Sequence, residues 1–450
     1  MNLTEVVKAA GVVGAGGAGF PTHVKLNTKA DCFIVNAAEC EPLIETDKYL
    51  CRMFADKLVE GILAVSRHLE AKRIVIALKH KYKEEISCLK EAIHKANADI
   101  EIFEMQTFYP AGDEQVIVQQ VLNVSVPERG IPIDVGVVVD NVGTILNIAD
   151  ALKEIPVTDK YLSVVGEVEK PIMLKVPIGT SIIDCIDKAK PKLSQYAVIL
   201  GGPMMGRILD QMKDIKEEVV TKTTGNILIL PPDHYLIRRS KLSMERIILQ
   251  SRSACIQCQM CTDLCPRYLI GHKIRPHVVM RNIWRESFIQ DDNAYIDMFG
   301  DAANCCNCGI CELFACPMGL SPRKVNIFIK KRLKEREIQV PRNKKPVARE
   351  SVNLHKTPTK RLTARLVLSD YDGHHAQECY DMYPRNVFIP LSQHIGMQAV
   401  PIHHVGDYVK KGDRIAQADE QGLSANIHAS MDGIITEITD LGVRISRKEE

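Results

Sequence analysis

Two cysteine runs carry the strongest chemistry in this chain. The first, CIQCQMCTDLCP, sets Cys255, Cys258, Cys261 and Cys265 at C-x2-C-x2-C-x3-C, with Pro266 following. Three thiolates at three-residue steps wrap a loop round three irons of a cube, the bacterial ferredoxin spacing for a [4Fe–4S] cluster. The second, CCNCGICELFACP, holds Cys305, Cys308, Cys311 and Cys316 ahead of Pro317, one residue longer before its last cysteine. In two-cluster ferredoxins the fourth cysteine of each run serves the other cluster. The expected sets are therefore Cys255, Cys258 and Cys261 with Cys316, and Cys305, Cys308 and Cys311 with Cys265. A pair of zinc sites is the competing reading, but zinc takes four ligands, often as two C-x2-C pairs, and asks for no third cysteine at the same step. Cys306 rivals Cys305, and the regular two-residue gap favours Cys305. Paired clusters pass single electrons and bind no substrate of their own.

Such a wire has to be loaded. The common two-electron donor is a nicotinamide, and a flavin converts its pair into single electrons. GVVGAGGAGFPTHVK, from Gly11 to Lys25, supplies bare backbone whose N–H groups could converge on phosphate oxygens. No strand-like run precedes it, so it is not a Rossmann fingerprint, and it lacks the Lys-Ser/Thr ending of a P-loop. From spacing alone a nucleotide cradle and a tight structural turn stay equally open.

The elements that must position these groups follow from the pattern of apolar residues. Between 32 and 155, CFIVNA, RIVIAL, IEIF and VGVVVD are short β-branched runs suited to buried parallel strands. Ile86, Leu89, Ile93 and Ala96 repeat between them at helical spacing. The alternation implies an α/β layer architecture with ligands at the carboxyl ends of the strands. Residues 156–235 predict a small α+β module, 236–335 a helical domain carrying the cysteines, and 336–384 a basic linker. From Lys330 to Arg365 there are 13 Lys/Arg against 3 Glu, a composition suited to a solvated segment or to docking of an acidic partner. Residues 385–450 return to short strands punctuated by glycine.

Bulk composition narrows the function classes. A net charge of +2 over 450 residues argues against nucleic-acid binding. No apolar run reaches about 18 residues, so no transmembrane helix is expected, and MNLTEVVKAAG is not a secretory signal. Fifteen cysteines without such a signal favour a reducing compartment and metal ligation over disulfides. The seven outside the proposed sets, Cys306 among them, are expected to be mostly small hydrophobes. Leu3, Val6, Val7 and Ala10 could form a docking face, though core packing is the expectation.

GAGGAGFPTHVK, VNAAECEP, YPAGDEQ and NVGT occur in that order. Together they resemble the flavin domain of the NADH-oxidising subunit of respiratory complex I, and still more the RnfC subunit of the Rnf electron-transport complex. The resemblance covers residues 1 to about 330. It implies a multidomain α/β chain: an FMN/NADH-binding α/β domain (1–155), a soluble-ligand-binding β-grasp module (156–235) and a helical double-cluster ferredoxin-like domain (236–335). By position it implies that Gly14, Gly16, Gly17 and Gly19 approach FMN, with Lys25 a positive charge nearby. Asn36 would hydrogen-bond the flavin, with Asn141 and Thr144 near its phosphate or ring edge. Phe20, Glu41 and Glu114 would line the nicotinamide side, and Gly112 and Asp113 would shape that pocket. One departure is Ala38, where the complex I version has an acid and the Rnf branch shares the alanine.

The C-terminal stretch (385–450) resembles the barrel-sandwich hybrid of biotinyl and lipoyl carriers. Its tip, Ser430-Met431-Asp432-Gly433, has no attachment lysine, so a packing or docking module is expected. In RnfC this module usually precedes the flavin loop. Here it follows the cysteines, an order that resembles the cobalamin reductases of propanediol-utilisation microcompartments. That resemblance implies NADH as donor, FMN and two [4Fe–4S] clusters as cofactors, and cobalamin as acceptor, with no side-chain acid or base needed for the hydride step. It also implies an adenosyltransferase and shell proteins as partners, and a cytoplasmic protein inside a bacterial microcompartment. His403 and His404 are expected to be ordinary surface residues. The alternative is an Rnf-type electron-entry subunit docked on a membrane complex.

Overall fold

β1 (Cys32–Asn36), β2 (Arg73–Lys79), β3 (Glu101–Met105) and β5 (Val137–Asn141) form an all-parallel sheet in the order β3-β2-β1-β5. β4 (Phe108–Tyr109) stands outside it. The structure is a computed structural model and describes residues 2–447. The chain winds from β1 outward to β3, then returns to the far side of β1 with β5. That reversal makes a topological switch point, and the crevice lies beyond the carboxyl ends of the two strands that flank it. Asn36 and Asn141 end those strands as register partners. Leu3 and Val6 pack against the sheet's core and Val7 and Ala10 are buried in it, so the first helix (Leu3–Ala9) is core packing.

A second sheet has the order β7-β6-β10-β8-β9 from β6 (Asp159–Gly166), β7 (Ile172–Pro177), β8 (Ala197–Leu200), β9 (Arg207–Leu209) and β10 (Asn226–Leu230). β6 and β7 form an antiparallel hairpin, and β10 returns parallel to β6 between the two halves. Ile182, Cys185, Ile186 and Ala189 of the helix Ile182–Ala189 pack on this sheet. Hairpin, crossing helix and a last strand parallel to the first make the expected β-grasp arrangement.

Four helices, Met244–Ala254, Pro276–Asn282, Asp292–Phe299 and Pro322–Glu335, share one core that includes Ile247, Val279, Phe299, Val325 and Ile329. The two cysteine runs form loops against it.

Residues 336–384, expected as a basic linker, instead lie along the other domains. β11 (Thr357–Pro358) pairs with β4, and β12 (Cys379–Asp381) adds a parallel edge strand to β7. Between them the helix Thr359–Arg365 and the turn after it bury Leu362, Leu366 and Leu368 completely, in the same core as Val75 and Phe108. Each such side chain contributes about 1.5–3 kcal/mol on burial. The sparse leucines hold the strap down while most of its basic residues face water and Lys356 packs over Phe108, so counting charges along the segment hid its packing.

The C-terminal module is two small sheets. β13 (Asn386–Pro390), β19 (Gly442–Ser446), β18 (Gly433–Ile438) and β15 (Tyr408–Val409) make one. β14 (Val400–Pro401), β16 (Arg414–Gln417) and β17 (Ile427–His428) make the other. Their apolar faces run without a break into the core of the first domain. Met431 is buried and Ser430 donates to the Ile178 carbonyl, so the hairpin tip is packed against the β-grasp domain. His404 is almost fully exposed near the turn at Gly406.

Candidate functional site

A cleft of about 880 Å³ opens between the switch point, the glycine stretch and the β-grasp sheet, a size suited to a nucleotide-like ligand. It brings together Gly16, Gly17, Asn36, Glu41, Gly112, Asp113 and Asn141. Asn36 donates to the Gly112 carbonyl (2.9 Å) and accepts from the Ala38 amide (3.1 Å), tying two motifs distant in sequence. Asn141 caps the helix Val142–Ala151 by accepting from the Gly143 amide (2.8 Å), while its Nδ2 donates to Asp47 (2.7 Å).

Thr144 acts one step back, its Oγ1 accepting from the Ala15 amide (3.0 Å). Lys160 reaches over from β6 and donates to the Ala15 carbonyl (3.0 Å). Ala15 is thus held through both its N–H and its C=O, and the two glycines after it face the cleft. A side chain at Gly17 would meet no protein atom within 4 Å, whereas one at Gly16 would lie 2.7 Å from Asn141.

The remaining predicted residues lie outside the cleft lining. Lys25 Nζ pairs with Glu114 (2.9 Å) and Asp140 (3.3 Å) and also donates to the Val139 carbonyl. Burial pulls its pKa down, but the two carboxylates outweigh that and raise it. Gly14 closes the loop by donating to the Phe20 carbonyl (2.9 Å), and Phe20 is partly exposed. Gly19 turns away toward the C-terminal module.

The cleft's electrostatics are set by buried groups. Glu41 accepts from the Met204 amide (2.8 Å) through Oε2, while its Oε1 has no partner. Burial, with Glu39 nearby, pushes its carboxyl up to about 8, so it carries a proton at neutral pH. Asp47 is raised to about 7 by burial and Glu39, and burial lowers Lys160 to about 8 against the pull of Asp47. Asp47 and Lys160 had no motif to announce them; they are ordinary charges in the sequence that folding places in the cleft. Arg267 is another, holding Asp113 through two hydrogen bonds (2.6 and 2.8 Å) directly after the Cys265–Pro266 pair. Asp113 meanwhile caps the helix Glu114–Leu122. One carboxylate therefore ties the cleft to the cysteine domain.

Cys255, Cys258, Cys261 and Cys316 line one small pocket. Burial, Cys316 and the two other thiols push Cys261 up to about 12. Cys265 lies instead among Cys305, Cys306, Cys308 and Cys311; burial and the neighbouring thiols raise the pKa values of Cys265, Cys308 and Cys311, while the hydrogen bond with Cys308 lowers that of Cys306 to about 7. Thiols so buried and so close resist ionising together, and a cationic iron–sulfur core removes that penalty. The two loops share a backbone pattern. Gln257 and Gln259 have φ of 56° and 62°, and Asn307 and Gly309 have 61° and 84°. That register sets Cys305 opposite Cys255, both extended, and Cys306 opposite Ile256. Cys306 faces Cys308 and Arg267.

The runs differ in depth. Cys308 lines the cleft, and Tyr109, another lining residue, donates to its carbonyl (2.8 Å). Residues Ile256–Met260 are exposed, an uncharged surface beside the first run.

Comparison with known proteins agrees with this layout. The Nuo51 FMN-binding domain matches residues 7–150, a 4Fe-4S dicluster domain matches 254–321, and the RnfC barrel sandwich hybrid domain matches 378–449. The cobalamin reductase PduS of Citrobacter freundii is 38% identical over 99% of this chain and 96% of its own length. The chain belongs to the PduS cobalamin reductase family. The Salmonella typhimurium member is likewise 38% identical over the same shares. The C subunit of the Na(+)-translocating ferredoxin:NAD(+) oxidoreductase complex of Acetobacterium woodii is 32% identical, over 63% of this chain and 61% of its own. Membership makes the chain an oxidoreductase with an FMN-binding domain and an iron–sulfur domain. Among the described residues no helix is long and apolar enough to cross a membrane.

Proposed function

We propose that the chain is an NADH-dependent corrinoid reductase that works through FMN and two [4Fe–4S] clusters. It would take cob(III)alamin to cob(II)alamin and on to cob(I)alamin, for alkylation by an adenosyltransferase partner. Its setting would be a bacterial microcompartment, in contact with shell proteins, where propanediol is degraded. The observation that carries the reading is the depth of the two runs: Cys308 stands in the cleft wall, and Cys258 stands at the surface. A path from the second run to the first leads one way, from the buried cleft to the outside.

Bound FMN would supply the conversion of a hydride into two single electrons, and the clusters would carry those singly. The chain's residues prepare that chemistry. Ala15, held by Thr144 and Lys160, offers the Gly16 and Gly17 backbone that follows it to the phosphate or ring. Asn36 and Asn141, fixed at adjacent strand ends, present amides to the flavin, and Gly112 and Asp113 close that wall. Glu41, protonated and half-buried, lines the nicotinamide side without repelling phosphates. Lys25 and Glu114 neutralise each other beside the cleft as a support. The ligand sets are Cys255, Cys258, Cys261 and Cys316, and Cys265, Cys305, Cys308 and Cys311, the shared loop register favouring Cys305 over Cys306.

Similarity to the PduS proteins along nearly the full length supports the corrinoid as acceptor. The test is anaerobic purification, with iron, sulfide and FMN quantified, followed by NADH-driven reduction of cob(III)alamin read from its visible spectrum. About eight irons and one flavin per chain, with cobalamin reduced, is the expected result. Zinc at the thiols, no flavin, or NADH oxidation that leaves cobalamin untouched overturns the proposal.

A further inference from the structure

Both ends of the glycine stretch rest on the C-terminal module. Gly11 has φ +67°, and a Cβ there would lie 2.3 Å from the Asn426 carbonyl oxygen. Gly19 has φ +73°, and its Cβ would lie 2.9 Å from the Gln393 carbonyl oxygen. The Ile395 amide donates to the Gly19 carbonyl (3.2 Å), and Asn426 Nδ2 donates to the Lys8 carbonyl (3.0 Å). Only glycine can take the left-handed backbone with another chain segment pressed this close. The stretch therefore divides its glycines: Gly11 and Gly19 serve the module, and Gly16 and Gly17 serve the cleft.

Between the two ends sits Lys222, from the loop before β10. It is fully buried and, among the described residues, has no carboxylate partner. Its Nζ donates to the Gly11 carbonyl (2.6 Å) and the Asn426 carbonyl (2.7 Å), and its backbone amide donates to Gln393 Oε1 (2.9 Å). A buried amine is expensive unless its donors are used, and here they join three domains at one point. Lys222 itself lines neither the cleft nor the cysteine pocket, although Thr221 and Thr223 on either side of it line the cleft, so it can act on a bound ligand only through its neighbours.

We infer that Lys222 and the C-terminal module form a lock that holds the glycine stretch in its ligand-binding shape. Lys222 is a positioning residue, acting on the cleft through Gly11 directly and through Gly19 by way of Gln393, and the module's role is to set that loop rather than to carry a group. The inference rests on the cleft being the flavin site, and its test separates the two.

In the full-length protein, K222M removes both side-chain donors and leaves two carbonyls unpaired. Hydrogen exchange at residues 11–20 should quicken at least about tenfold, and FMN release, followed by the fluorescence of free flavin, should quicken similarly. Exchange in the helices Pro276–Asn282 and Pro322–Glu335, and the iron content, should stay at wild-type values, whereas a merely structural lysine would loosen those as well. Q393A, which removes the acceptor of the Lys222 amide, should shift the same amides in the same direction and is the variant to read if K222M does not fold. Unchanged exchange at 11–20 in the folded variant overturns the lock. Faster exchange in a protein that never binds FMN keeps the lock and discards the flavin reading.

Discussion

Replacing Gly17 by valine separates ligand binding from folding. A Cβ at this position has no protein atom within 4 Å, and the backbone is outside the left-handed region. The folded chain therefore meets no clash, and stability should move by no more than about 0.5 kcal/mol, with a gain from the stiffer unfolded chain as the more favourable sign. The added methyl groups occupy the space through which a phosphate or ring would approach the backbone. Loss of charge-assisted hydrogen bonds there costs about 1.5–3 kcal/mol, which weakens FMN about 10- to 150-fold. Gly16→Ala is the contrasting variant. Its Cβ would lie 2.7 Å from Asn141, whose side chain caps a helix and donates to Asp47. Stability there should fall by about 1 kcal/mol, as for a lost cap, together with flavin affinity. The assay is thermal melting alongside fluorescence titration of deflavinated protein with FMN. A G17V protein that binds FMN as tightly as wild type refutes the assignment of the cleft, and one that melts as early as G16A refutes the claim that the site is open.

Three further outcomes follow from the same geometry. C305S should lose the iron of one cluster while C306S keeps both, as measured by iron content and electron paramagnetic resonance of the reduced protein; the opposite result would reverse the loop register. C258S should still let NADH bleach the flavin absorbance but should slow cobalamin reduction sharply, as the proposed exit through the exposed run requires; equal cobalamin rates would place the exit elsewhere. Glu41, whose carboxyl is pushed up to about 8 from an ordinary 4.5, holds a proton in the folded chain that the unfolded chain has released. Its contribution to stability is present below pH 4.5 and declines as pH rises toward 8, by up to about 1.4 kcal/mol per pH unit. E41Q removes that decline, and melts from pH 5 to 8.5 should show the variant gaining on wild type; parallel curves would mean that Glu41 is ionised.

The iron–sulfur chemistry was legible from local spacing, because a cubane calls for thiols at three-residue steps, whereas the glycine stretch by its spacing alone left a nucleotide cradle and a tight turn equally open. The strands were legible for the same reason, since a buried parallel strand declares itself in four or five β-branched residues. Tertiary structure alone decided which groups meet. Asp47, Lys160 and Arg267 are ordinary charges until the β-grasp and cysteine domains close on the switch point. The strap from 336 to 384 hid its three buried leucines among basic residues, most of which stay exposed. The glycine stretch shows both sides. Its richness was plain in sequence, but two of its glycines answer to Asn426 and Gln393, some 400 residues further on. No local pattern can record that, because the force that selects those glycines is a backbone approach made only when the chain's two ends pack together.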